Sequence, residues 1–446
     1  MPLSETSLGE LETPMLPGDE PGSIYDGCQR APTGRRHCMP GIFISAGEAS
    51  GEHYGALLVD RIQTLLKNSA QSTSFFGMGG PRMEAAGVER IVRAEEMAVM
   101  GITEVVRSLP RIYRGYRKLR DAIRERRPGV AVLIDFPDIH FKLARELHRL
   151  GVPVVFFVSP QLWAWKKHRI RLVQRYVDRM LVIFPFEEPF YRQRGVAAEF
   201  VGHPLAELPP PSISREQFAE ENALDSTATW VGLLPGSRMK EIHANLPQML
   251  TAARGLTERA PEQRFEFLVP VAPTLDASQK NDVRAMIEGR GRNVTIRLVC
   301  DARAALLHAR ASVVASGTAT VEAALIGNPF VVVYRVSPLT YAIARRVVSV
   351  PHVAMANLVA GKRVVPELIQ GDFTATNVIR ELERLLPDGT PRQSMKKELA
   401  EIHGLLLSRP IQPAAAGAGA IGRVAEITLE LLDARTAAQI AEVVPS

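Results

Sequence analysis

Cysteine is scarce in this chain: Cys28, Cys38 and Cys300 are the only three in 446 residues, odd in number and widely scattered. That excludes a disulfide framework or a zinc-holding cysteine set and fits a reducing compartment. Long apolar runs are also missing. No stretch approaches the roughly 20 residues that span a bilayer, and the N-terminus lacks the basic-then-apolar order of a secretory signal, so a cytoplasmic location is expected. The dinucleotide fingerprint is absent as well. Gly47, Gly51 and Gly55 follow the first apolar run at the wrong spacing, and no acid stands after a second strand to take a ribose, which excludes NAD binding. There is no internal repeat of short period.

What is present is a globular composition, 46% hydrophobic and 23% charged, in a chain too long for one ordinary core; two domains are expected. A net charge of +6 favours an anionic partner, whether nucleic acid, a phospholipid surface or a phosphorylated metabolite. Residues 1–39 are rich in Pro, Gly and Ser without periodicity and read as a disordered extension. From Gly41 apolar runs alternate with helical patterns. Strands are expected at Gly41–Ala46, Val130–Asp135, Val154–Val158 and Met180–Phe184, with helices running to Lys67 and through Leu150. After the break Leu208–Pro211 the rhythm restarts: strand Trp230–Leu234, helix Lys240–Arg259, then strands Phe265–Pro270, Val294–Val299, Ser312–Ala315 and Phe330–Tyr334. Past Gly371 the chain reads as helical, with an Ala/Gly-rich patch at Pro413–Ala420. The expected fold class is α/β: two doubly wound Rossmann-like domains, 40–207 and 208–372, facing a cleft, followed by a helical segment 373–446. That segment packs back on the first domain or exchanges in a dimer.

In such a fold, ligand groups lie in loops just after strands, and five loops qualify. In Ala46–Leu58 the glycines allow close approach of a sugar or phosphate, with Glu48, Ser50 and Gly51 at the cleft. In Ile134–Ala144 two carboxylates flank Pro137: Asp135 suits a general base, while Asp138 suits a helix N-cap or substrate contact. In Val158–Arg171, Trp163 and Trp165 stand beside Lys166, Lys167, His168, Arg169 and Arg171. This mixture serves ring stacking, a lipid interface or single-stranded nucleic acid, although one Trp is expected to be structural. In Leu233–Ile242, Gly236 and Ser237 turn and Arg238 stands at a helix mouth, where a guanidinium can grip a diphosphate or simply decorate the surface. Last, Ser316, Gly317 and Thr318 lead from a strand into a helix whose N–H groups suit a phosphate. Glu322, one turn on, could take both ribose hydroxyls, or the Thr and Glu could cap the helix and nothing more.

In order, the segments GEASGE, FFGMGGPRM, MAVMGITEV, IDFPDIHFKLA, VSPQLWAWKKHRI, FPFEEPFY, VGHPLAE, LLPGSR, ASGTATVEAAL, YRVSPLTYAIARR and ANLVAGKRVVPELIQ resemble the lipid-A-disaccharide synthases over Pro40–Leu386. The resemblance implies a GT-B-fold, peripheral inner-membrane glycosyltransferase of Gram-negative lipid A biosynthesis. It implies transfer from UDP-2,3-diacylglucosamine to 2,3-diacylglucosamine 1-phosphate with release of UDP and inversion, no cofactor, no metal and no nucleic-acid partner. The chain has no Asp-x-Asp pair to hold a divalent ion. By the same resemblance Asp135 is the base on the acceptor 6-hydroxyl, Arg238 stabilises departing UDP, Ser316–Thr318 meet phosphate, Glu322 holds ribose, Asn357 belongs to the donor site, and the enzyme is a homodimer with exchanged C-terminal segments. Two departures are Glu52, where the family usually has Asp, and Ala356, where Pro is common. The rivals are a GT-B-fold UDP-N-acetylglucosamine epimerase and a non-catalytic lipid or nucleic-acid binder.

Overall fold

Runs such as Val130–Ile134 and Val154–Phe157 are apolar at every position because both of their faces are covered; in the computed structural model they are buried mid-sheet strands. The described residues are 37–69, 71–97, 102–291, 294–338, 341–342, 346, 350–407 and 419–443. The expected N-terminal extension lies outside them up to residue 36, as does most of the Ala/Gly-rich patch.

The first sheet consists of β1 (Ile42–Ala46), β2 (Phe75–Gly79), β3 (Val88–Arg93), β4 (Val130–Ile134), β5 (Val154–Phe157), β6 (Arg179–Val182) and β7 (Ala198–Phe200), ordered β3-β2-β1-β4-β5-β6-β7. The second consists of β8 (Thr229–Leu234), β9 (Phe265–Pro270), β10 (Thr295–Val299), β11 (Ala311–Ala315), β12 (Phe330–Tyr334) and β13 (Glu367–Ile369), ordered β10-β9-β8-β11-β12-β13. Neighbouring strands run parallel throughout both sheets. In each, strand order reverses beside the first strand, between β1 and β4 and between β8 and β11, and a crevice opens at such a switch point.

The helices that matter below are α1 (Ala49–Asn68), α2 (Pro81–Ala85), α3 (Ile102–Arg126), α4 (Pro137–Arg149), α5 (Met239–Arg259), α6 (Thr318–Ile326) and α7 (Gly419–Val443). Strands β2, β3, β7 and β13 go beyond the sequence expectation. FFGMG carries two glycines, VERIVR alternates apolar and charged residues, and the other two strands have three residues each, so none has the apolar run that marks the rest.

The chain passes between the sheets at two places that touch. One passage follows β7, and there the His203 amide donates to the Leu406 carbonyl at 2.8 Å. After Leu406 the chain returns, and α7 packs against α1 and β4 of the first sheet. A Cβ on Gly129 would stand 2.2 Å from Leu432. Glu207 accepts from the Ala420 amide at 2.7 Å, and Arg423 pairs with Glu199 at 2.7 Å.

Candidate active site

The loops after β1 and β4 leave the sheet side by side, since Ala46 and Ile134 are register partners. Asp135 and Phe136 both turn with left-handed backbone, φ 52° and 51°, a conformation unfavourable for a side chain as large as Phe. Packing holds it there. The Phe136 ring lies where Gly47 has no Cβ, 2.3 Å from the position such an atom would take, and meets His140 edge-on at 5.9 Å. His140 is fully buried and stays neutral, its pKa pushed down to about 4 by burial. Its Nδ1–H donates to the Asp135 carbonyl, which can only accept; Nε2 therefore accepts from the Ser45 hydroxyl at 2.8 Å. The turn that aims Asp135 is thus fixed by a residue five positions further on.

Burial pushes the Asp135 carboxyl up to about 6; the neighbouring Glu48 carboxylate adds to the shift and the Phe136 amide opposes it. Asp138 departs from its expected place as an N-cap. Phe136 occupies the cap position without a side-chain cap bond, and Asp138, exposed in the first turn of α4, pairs with Arg169 at 2.6 Å. Ser50 and Gly51 lie in the first turn of α1. Glu52 is engaged at the start of α2, where its Oε1 accepts from the Arg82 amide at 2.8 Å. The longer acid thus serves a cap.

Asp135 opens into a cavity of about 360 Å³ that Trp165, Lys166, Arg169 and Glu187 also line. Glu187 went unassigned in the sequence. It is buried, accepts from Ser159 Oγ at 2.6 Å, Trp163 Nε1 at 2.9 Å and the Phe184 amide at 3.2 Å, and is pushed up to about 7 by burial against the pull of those donors. Trp163 is held further by an edge-on contact with Phe186 at 4.9 Å. Trp165 is 42% exposed, and the two tryptophans therefore separate into a braced one and an open one.

Across the crevice, Leu234 is register partner to Val314, so the loops after β8 and β11 also emerge together. Gly236 turns at φ 118°, where a Cβ would collide with Glu241. Glu241 accepts from the Ser237 amide at 3.2 Å and pairs with Arg238 at 3.2 Å. Arg238, the N-cap residue of α5, reaches Glu48 at 3.7 Å. This ion pair joins a loop of the first sheet to a loop of the second. Gly317, at φ 152°, leads into α6, which has no side-chain N-cap; Thr318 begins the helix and Glu322 lies half-buried one turn on. Burial raises the Glu322 carboxyl above its usual range. Tyr54, in α1, is buried, which pushes its phenol well up, and the carboxylates of Glu322 and Asp135 add to the push.

Asn357 stands in the segment that leads to β13. It is fully buried, and its amide donates to the Val365 carbonyl at 3.0 Å and Glu367 Oε1 at 2.8 Å while accepting from the Val364 and Val365 amides at 2.8 and 2.9 Å. All four side-chain hydrogen bonds are used inside the fold, which makes it a brace for the segment before β13.

Comparison with known proteins accords with this geometry. The family profile described as "Lipid-A-disaccharide synthetase" matches residues 42–411. A lipid-A-disaccharide synthase of Acidobacterium capsulatum is 58% identical over 407 residues, covering 89% of this chain and 98% of the relative. Among solved structures, the glycotransferase of kitacinnamycin is similar with a TM-score of 0.57 at 15% identity, over 90% of this chain and all of the other. A UDP-GlcNAc 2-epimerase from Neisseria meningitidis gives 0.54 at 13% identity, over 89% and 99%. At such identities the structural likeness shows the two-domain GT-B architecture alone, and no epimerase activity follows. With a family profile over most of its length and a near-full-length relative at 58% identity, the chain belongs to the lipid-A-disaccharide synthases, UDP-sugar-dependent glycosyltransferases of lipid A biosynthesis.

Proposed function

We propose that the chain joins the diacylglucosamine unit of a UDP donor to the 6-hydroxyl of diacylglucosamine 1-phosphate, with Asp135 as base and Arg238 as the group that stabilises departing UDP. The carrying observation is the juxtaposition across the crevice: Asp135 beside Glu48, and Glu48 paired with Arg238 at 3.7 Å. In the step, Asp135 takes the hydroxyl proton as the acceptor oxygen bonds to the donor's anomeric carbon. The bond from that carbon to the diphosphate breaks, and UDP leaves with the electron pair. One displacement inverts the centre, so no covalent sugar–enzyme adduct is needed. The growing charge on UDP falls to Arg238 and to the amides opening α6, at the positive end of the helix dipole, and Glu322 takes the ribose hydroxyls. The epimerase alternative needs no acylated acceptor and leaves Asp135 without a hydroxyl to activate. UDP release tests the assignment: it is expected only when diacylglucosamine 1-phosphate is supplied with the acylated donor. Equal release without acceptor would point to hydrolysis of the donor, and no release under either condition to epimerisation or binding alone.

We further propose docking on an anionic membrane surface, because both substrates carry acyl chains. No helix among the described residues is long and apolar enough to cross a bilayer. Trp165 and Leu172 are exposed beside the outward Lys167 and Arg171, an arrangement suited to headgroup depth. Each cation is worth about 1 kcal/mol near a charged surface. Lys167→Gln with Arg171→Gln is therefore expected to weaken sedimentation with anionic vesicles by roughly thirtyfold at low salt, and less at high salt. Unchanged binding at both would move the contact elsewhere, with α3 the next candidate, where Leu109 and Tyr113 are exposed one turn apart among arginines.

A further inference from the structure

The basic run after the tryptophans is split by the fold. Lys166 and Arg169 line the cavity that Asp135 opens into, whereas Lys167 and Arg171 are exposed and do not. The inward pair is held in place. Lys166 has left-handed backbone, φ 53° and ψ 37°, at the head of the short turn Lys167–Arg169, an uncommon conformation for a residue with a Cβ. Its ammonium stands 4.0 Å from the Trp165 ring centroid. The loop leading to it is tied down at Ser159 and Trp163 by buried Glu187, and at Pro160, whose carbonyl accepts from Tyr191 Oη at 3.0 Å. Arg169 is steered by its 2.6 Å pair with Asp138, whose side chain is 71% exposed, so the pair contributes little to stability. Positioning a cation is what it can do.

The cavity also holds four carboxyl groups, on Glu48, Asp135, Asp138 and Glu187. A phosphorylated acceptor entering it meets like charges, and among the described residues of the lining Lys166 and Arg169 are the only basic ones to offset them. We propose that Lys166 and Arg169 form the subsite for the acceptor's phosphate and thereby select a phosphorylated acceptor over a neutral one. A compact ammonium and a planar guanidinium on one wall suit a phosphate monoester, which accepts several charge-assisted hydrogen bonds at once. The subsite rests on the acceptor chemistry proposed above.

The test compares the parent with Lys166→Gln/Arg169→Gln in neutral detergent micelles, where attraction to an anionic surface does not enter. Each is assayed with diacylglucosamine 1-phosphate and with the same acceptor lacking the phosphate. The double variant is expected to lose roughly a hundredfold in kcat/KM on the phosphorylated acceptor, mostly through KM, and to be little changed on the neutral one. Lys166→Arg should keep most of the preference. Should the double variant fail to fold, Lys166→Gln and Arg169→Gln are compared singly by the same ratio. Equal losses on both acceptors, or an unaltered preference for phosphate, would overturn the subsite alone. A parent that transfers to neither acceptor would reject the acceptor chemistry and the subsite with it.

Discussion

Asp135→Asn is expected to lower kcat by about a hundredfold or more while the protein folds as before. The base contributes at least that factor when it is positioned on the proton it removes. No loss of stability should accompany it. The fold raises the carboxyl to about 6, above its ordinary value, so the ionised form is disfavoured by folding, and this cost is present at neutral pH. A neutral amide removes it, and Tm should be equal or higher. The pH profile supplies the second readout. A base works only when ionised, so the parent's kcat/KM should fall as pH drops below about 6 and level off above it. That limb should be missing from the residual activity of Asp135→Asn. Near-parent turnover in the folded variant would pass the role to Glu48, the neighbouring carboxylate.

Arg238→Ala should lower kcat by a hundredfold to roughly a thousandfold, the range for a lost group that meets developing charge, with a much smaller change in donor affinity. The guanidinium is half-exposed and shared between Glu48 and Glu241, so UDP has to draw it from two carboxylates. That competition is hardest to win in the ground state and easiest as charge collects on the leaving diphosphate, which places the benefit in the transition state. Removal of a pair exposed to this degree should leave Tm nearly unchanged. A variant with normal kcat and a raised donor KM would make Arg238 a binding residue only.

Much of this site was legible because of where the chain changes rhythm. Asp135, Arg238 and Ser316 each stand just past an apolar run, and the β-to-α alternation puts such positions at the crevice whatever the strands' exact ends. Strand ends moved by only a residue or two, since a run buried on both faces marks itself. Partners distant in sequence were not legible. His140 fixes the Asp135 turn through Ser45, 95 residues away, and Glu187 gathers Ser159 and Trp163 from 28 and 24 residues away. Each looks like an ordinary polar residue on a helix until the fold brings its partners to it. Asn357 shows the converse: it sits in a motif the family resemblance assigned to the donor site, yet its bonds all go to local backbone and Glu367.

The return of α7 to the first sheet sets an order of events during synthesis. Domains commonly fold as they leave the ribosome, N-terminal part first, and the second sheet can do so because its strands are contiguous in sequence from Thr229 to Ile369. The first sheet cannot finish. Val424, Ala425, Ile427 and Leu432 belong to its buried core, and they emerge only after the whole second sheet. Until they arrive, the apolar surface beside α1 and β4 stands open through the making of more than two hundred intervening residues. The first sheet, translated before the second, is thus closed after it, and a nascent chain cut short before α7 leaves an exposed apolar face for chaperones or proteases to find.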